Sequence, residues 1–257
     1  MRDSKDLATN TIFNYKAAVG NTLGTVFGLD TSAWEFKALK DALFIEKPPN
    51  PPRIPSWDIN KVLDLLQKPK YNKNPPEAFC QLKKTLFLVA MATGNRVSEL
   101  ANVSRNGLGS LRPDQIVKLC VLPGFLYKNQ RLNRTPPNIE VHPLLSEPLA
   151  ICPVVNLIRF LKVSPLNRGA LFVNTKSNAS LHPSSIARLL CELINEADPG
   201  TFPQAHDVRR VVTSIAWTRG LDPGEIAKRT FWRSTSIFIE RYLSARTPVI
   251  GVALNTR

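Results

Sequence analysis

The chain lacks a long apolar run. The longest, "LFLVAMA" from Leu86 to Ala92, falls far short of the roughly 20 residues that cross a bilayer. The N-terminal "MRDSKDLATN" has no apolar core of the kind a secretion signal requires. Both absences predict a soluble chain with no secretion route. Cysteine is sparse: Cys80, Cys120, Cys152 and Cys191 lie far apart, form no C-x-x-C, and each has an apolar neighbour. They read as reduced core thiols in an intracellular compartment. Histidine is scarcer. His142, His182 and His206 fall into no ligand spacing with the cysteines, so no zinc site is expected. No fixed-period repeat and no low-complexity tract occurs. Acid is in deficit, with 20 Asp and Glu against 34 Lys and Arg, for a net charge of +14. Since 43% of the residues are hydrophobic, disorder does not explain that charge. A basic excess on a real core predicts a polyanionic partner, most often nucleic acid; the bland alternative is an ordinary basic soluble protein.

What is present organises the 257 residues into one full domain and a small one. In "NTIFNYKAAVGNTLGTVFG", Ile12, Tyr15, Val19, Leu23 and Val26 recur at helical spacing, and in "WEFKALKDALF" Phe36, Leu39 and Leu43 do the same. Two helices make a thin core, so residues 1–47 read as a partial helical domain. Five prolines between Pro48 and Pro55 remove amide donors and fix φ, which predicts a semi-rigid linker over 48–56. The large domain is then 57–257. A helix opens near Asp58, with Val62, Leu65 and Leu66 inward. A second, buried around Leu86 to Ala90, stops near Gly94, and "RVSELANV" forms a short third. Ile116, Val117, Leu119, Val121 and Leu122, followed by "IEV", predict a small antiparallel sheet with a basic loop bearing Lys128, Arg131 and Arg134. "ALFV" reads as one further short strand. Helices follow from "PVVNLIRFLK", from "PSSIARLLCELINEA" with Ser184 as cap, from "HDVRRVVTSIAWTRG", from "LDPGEIAKRTFW" with Asp222 as cap, and from "STSIFIERYLSAR". The fold class is mainly α, an α+β arrangement with a small antiparallel sheet inserted early in the large domain.

Several polar residues sit where a packed helix does not need them. Arg96 and Glu99 are three apart on one face of the short helix; the plain reading is a weak surface ion pair. His206 and Arg209 are three apart at a helix start, where free amides and the dipole favour an anion; the plain reading is a solvated helix end. Trp232 is either packing or an indole donor aimed at an oxygen. Tyr242, beside Phe238, Ile239 and Leu243, is by itself a half-buried core tyrosine, and Lys128 by itself is one basic residue among many.

As an ordered set these residues resemble the tyrosine recombinases, or phage-integrase family. "ATGNRVSEL" resembles the family's first-arginine box, "HDVRR" its His-x-x-Arg box, and "FWRSTSIFIERYL" the box with the His-or-Trp donor and the nucleophile. The likeness runs from about Ser56 to the end. Trp232 follows Arg209 by 23 positions, as is usual in the family, and Tyr242 follows Trp232 by 10, one more than in many bacterial members. "PPNPPRIPSWDINKVLDLL" and "SIFIERYL" resemble the recombinases of eukaryotic DIRS-like and Crypton mobile elements. Two departures stand out. Phe231 takes the place of a usual glycine, and the N-terminal unit is shorter than the family's helical bundle.

The resemblance implies a tyrosine-recombinase catalytic domain preceded by a partial core-binding domain. Its activity is DNA cleavage and rejoining through a 3′-phosphotyrosine, by Arg96, Lys128, His206, Arg209, Trp232 and the nucleophile Tyr242, with Glu99 in support. Arg131, Arg134 and Arg210 are the expected further DNA contacts. The implied partner is double-stranded DNA, bound by a homotetramer on two duplexes, in the nucleus, without metal or cofactor. The tail from Thr247 to Arg257 is expected to dock on a neighbouring protomer. A non-catalytic DNA-binding protein derived from a mobile-element recombinase is the competing reading; a type IB topoisomerase relative is a third, without the extra domains of such enzymes.

Overall fold

The computed structural model describes residues 7, 9–28, 30, 32–48, 55–128, 130, 138–144, 148–165, 169–232 and 235–239. The chain divides into two compact units, Met1–Arg53 and Ile54–Arg257.

The first unit holds α1 (Thr9–Phe27) and α2 (Trp34–Glu46). Phe13 stacks on Phe44 at 5.5 Å between ring centroids, and Thr9 Oγ1 donates to the Lys47 carbonyl at 2.7 Å. The apolar spacing predicted helices correctly, but the predicted inward face is largely uncovered. Tyr15, Val19, Val26 and Leu39 are exposed, and no residue of α2 is buried. Two helices shield only the line where they meet, so the rest of each stripe faces outward.

The second unit is built around α4 (Ala78–Thr93), whose Leu82 and Leu86 to Ala90 are almost fully buried. At about 25 cal/mol per Å² of apolar surface, each buried leucine contributes on the order of 2 kcal/mol. α4 packs against α6 (Pro153–Val163), α7 (Pro183–Ala197) and α8 (Ala205–Thr218). Gln81 and Thr85 on α4 both donate to Asn156 on α6, which satisfies the polar atoms trapped in that seam. α3 (Ile59–Gln67) opens on Asp58, whose carboxylate accepts from the Asn60 amide at 2.8 Å, and buries Val62, Leu65 and Leu66. Asp198, just past α7, accepts from the Asp58 amide and from Lys61, so the start of the loop after α7 is tied to the start of α3.

Among the described residues the sheet has two strands, β1 (Val117–Leu119) and β2 (Ile139–Val141), antiparallel with Val117 opposite Val141. The predicted run is thus shorter than its propensity: Ile116 is half exposed, and Val121 makes only an isolated bridge with Val103. "ALFV" is not a strand of this sheet; Ala170 and Val173 make single bridges with Ser104 and Ser180. The cap of α7 is His182, whose ring accepts from the Ser184 amide, and not Ser184. Pro183 holds the first helical position, which puts the cap at His182, two residues before Ser184. α5 (Val97–Ala101), α9 (Pro223–Arg229) and α10 (Thr235–Phe238) complete the described α-helices. No described helix is long and apolar enough to cross a membrane.

Candidate active site

The site begins where α4 ends. Gly94 adopts a left-handed φ of +63° as the helix C-cap, a conformation glycine takes without steric cost. A Cβ there would lie 3.1 Å from Thr230 Cγ2 and 3.4 Å from Val212 Cγ1, so α8 and the end of α9 approach this backbone closely. The Gly94 carbonyl faces α8 and accepts from Arg209 Nη1 at 2.7 Å.

Two residues on, Arg96 caps α5. Glu99, at the third helical position, accepts from the Arg96 amide through Oε2 at 2.8 Å and from Arg96 Nη1 through Oε1 at 2.6 Å. Glu99 Oε2 also stands 3.9 Å from Arg209 Nη1. The surface ion pair is thereby excluded: Glu99 is 2% exposed, the Arg96 side chain 15% and Arg209 1%. One buried carboxylate faces two guanidiniums, so the cluster keeps a net positive charge. Burying such charges is tolerable only with good hydrogen bonds. Arg209 has them, donating also to the Thr230 carbonyl.

Arg209 and His206 both come from the first turns of α8. Asp207 accepts from the Gln204 amide at 2.8 Å and fixes that start as a capping box. The His206 imidazole is crowded by protein although the residue keeps solvent exposure at the rim. That crowding first, then the charges of Arg209, Arg210, Arg96 and Lys128, hold its pKa down at about 4. At neutral pH it is an uncharged ring with one N–H to donate. Lys128, exposed on a turn after β1, is thus electrostatically part of the same cluster.

Trp232 floors the site. Its ring centroid lies 4.8 Å from Arg209 Cζ and 5.8 Å from Arg96 Cζ, within cation–π reach of both. It is placed by the end of α9. The Phe231 amide donates to Lys228 and the Trp232 amide to Ala227, which is a Schellman motif with Phe231 in the left-handed position. Phe231 takes a φ of +53° there.

The structure brings Arg96, Glu99, Arg209 and Trp232 into contact, with His206 one turn before Arg209 on α8; Arg210 and Lys128 add their charges to the field at His206. Tyr242, Arg131 and Arg134 lie outside the described residues. The sequence reading missed the carbonyls of Gly94 and Thr230. Gly94 was legible as a helix stop, but a backbone acceptor has no residue type that marks it. Among the described residues no group of His, Cys, Asp or Glu is arranged to hold a metal. The cluster is suited to an anion with several oxygens: two forked guanidiniums share one carboxylate and one indole face, and a neutral imidazole stands one turn away on α8.

The second unit has the fold of a tyrosine-recombinase catalytic domain, mostly helical with a small antiparallel sheet. The chain is similar to the Tn1549 transposon integrase solved with transposon right end DNA, at a TM-score of 0.59, 13% identity, and coverage of 97% of this chain and 79% of that one. It is also similar to XerA recombinase, at a TM-score of 0.51, 15% identity, and coverage of 100% and 86%. A lambda integrase dimer bound to a COC′ core site is matched at a TM-score of 0.50, 14% identity, and coverage of 96% and 84%. No family model matches the sequence, and no curated protein matches it.

Proposed function

We propose that this chain breaks and rejoins DNA strands by transesterification, with Tyr242 as nucleophile and a 3′-phosphotyrosine as intermediate. The observation that carries the reading is the buried Arg209 guanidinium, fixed by Gly94 and Thr230 carbonyls beside Arg96 and over Trp232. A scissile phosphate seated on this cluster would place its non-bridging oxygens on Arg96, Arg209 and the His206 N–H. Donors already in position stabilise the charge that spreads over those oxygens in the transition state, and each is worth about 10²- to 10³-fold in rate. The same cations favour the phenolate of an approaching tyrosine, whose free pKa is near ~10. The phenolic proton leaves to water, the phenolate attacks phosphorus in line, and the P–O5′ bond breaks. Lys128 gives its proton to the departing 5′ oxygen. The reverse reaction with a new 5′-hydroxyl rejoins the strand without an external energy source.

The other tyrosines support Tyr242. Tyr15 belongs to the first unit. Burial and Glu196 push the Tyr71 phenol up, and burial and Glu99 push Tyr127 up to about 12. Both are held protonated, opposite to what a nucleophile needs.

The net charge of +14 fits duplex DNA as substrate, with Arg131, Arg134 and Arg210 as further phosphate contacts. The DNA-bound integrases among the similar structures support a mobile-element recombinase. By the sequence likeness it would be of the DIRS or Crypton type, working in the nucleus as a tetramer on two duplexes, with residues 1–47 as part of a DNA clamp. A pool of nicked duplexes of randomised sequence tests the activity. Wild type should yield an SDS-resistant protein–DNA adduct and Tyr242→Phe none. Binding without any adduct would establish the non-catalytic DNA-binding reading instead.

A further inference from the structure

The turn that carries Lys128 is held from both sides. The Tyr127 carbonyl accepts from the Gln130 amide at 2.9 Å, and the Tyr127 amide donates to Gln130 Oε1 at 3.2 Å. Lys128 itself is exposed, so its own side chain does not anchor it. Tyr127 is 7% exposed. Its ring packs edge-on against Phe231, with centroids 5.6 Å apart and planes at 76°, and against Phe125 at 5.3 Å. Phe231 is 4% exposed and immediately precedes Trp232.

Phe231 is the residue whose presence asks for an account. A left-handed helix terminus takes glycine by preference, and a bulky aromatic is disfavoured there. An aromatic kept at φ +53° must return something glycine cannot, and the contact it makes is with Tyr127.

We propose that Tyr127 and Phe231 are positioning residues: their edge-to-face pair locks the Lys128 turn to the Trp232 segment. The general acid and the phosphate donors thereby share one frame. This rests on the cleavage reading above and deepens it. Neither ring touches the phosphate in this role; each acts through its neighbour in sequence.

The role predicts a leaving-group signature. In an ordinary duplex the 5′ oxygen must be protonated as P–O5′ breaks. In a duplex with sulfur at that bridging position, P–S5′ breaks and sulfur departs as a thiolate, which is stable near neutral pH and needs no acid. The probes are a nicked duplex recovered from wild-type adducts and the same duplex with the 5′-bridging sulfur. Tyr127→Leu and Phe231→Gly should slow adduct formation on the oxygen substrate on the order of 10²-fold. Both should react with the sulfur substrate at close to the wild-type rate, as Lys128→Ala should. Tyr127→Phe, which keeps the ring, should recover the oxygen rate relative to Tyr127→Leu. Phe231→Gly relaxes its backbone and keeps the test open if Tyr127→Leu does not fold. Equal losses on both substrates would overturn the positioning role while leaving the cleavage reading intact. A wild type that captures no duplex from the randomised pool overturns both.

Discussion

Arg209 is the residue on which the site depends most. Its fork is matched by two carbonyls and one carboxylate, a geometry that a single ammonium cannot reproduce. Arg209→Lys keeps the charge and should still slow adduct formation by about 10²- to 10³-fold, read in single-turnover assays. His206 offers a second test through pH. Its folded pKa of about 4 lies below the free value of 6.5, so the unfolded chain takes up that proton first. The neutral ring's contribution to stability is therefore complete above about 6.5 and falls away as pH drops towards 4. NMR titration should place the His206 midpoint near 4 in the free protein. The midpoint should rise when short duplex DNA is bound, because phosphates offset the field of Arg96, Arg209, Arg210 and Lys128; an unmoved midpoint would count against phosphate at this cluster. The residues of this site were legible because their chemistry needs particular side chains at fixed intervals. Arg96 with Glu99 and His206 with Arg209 stand three apart on helices. The partners of Arg209 were not legible, since Gly94 and Thr230 act through their backbones. Tyr127 and Phe231 were hidden for another reason: an aromatic pair 104 positions apart in sequence becomes a pair only after folding.

At the scale of elements, the long helices followed from periodicity, and Asp58 and Asp222 cap α3 and α9 as their positions predict. Short elements were less legible. β1 and β2 are three residues each, too few for alternation to set limits, and "ALFV" has strand propensity without a neighbouring strand to pair with along its length. One helix also contains a residue that propensity would place outside. Lys84 is fully buried in α4, with Nζ donating to the Leu66 and Tyr71 carbonyls and to Asn72 Oδ1. It ties α4 to the end of α3 and to the turn at Pro69–Tyr71. Burial first, and Arg159 second, lower its pKa to about 8. Between about 8 and the free value of 10.5 the unfolded chain holds this proton more tightly, so Lys84 makes stability rise with pH in that window. Urea midpoints measured from pH 7.5 to 9.5 should show that rise in wild type. Lys84→Met should flatten it.

For the whole molecule, charge decides more than shape. A chain with a net charge of +14 that contacts roughly 6–10 phosphates should lose about 10³- to 10⁵-fold in DNA affinity between about 50 and 200 mM salt. Fluorescence anisotropy across that range measures the slope, and a flat response would contradict a phosphate-dominated interface. The two units differ in how far sequence could describe them. The second has enough helices to bury the faces that periodicity assigns inward. The first has two, and Tyr15, Val19, Val26 and Leu39 remain exposed although their spacing is correct. Periodicity identifies the apolar side of a helix, but burial requires a partner that the pattern cannot name.

The clamp on Arg209 has a consequence for how this protein tolerates mutation. Two of the groups that hold the guanidinium, the Gly94 and Thr230 carbonyls, belong to the main chain, so the side chain at Thr230 is not itself recognised. Serine or alanine there should pass unnoticed in a screen for activity. Gly94 holds the same guanidinium through the same kind of atom and should accept little else, because its φ of +63° strains any other side chain and a Cβ would also press on Thr230 Cγ2 at 3.1 Å. A map of permitted substitutions would show one clamp position as permissive and the other as nearly invariant, although the two do the same work.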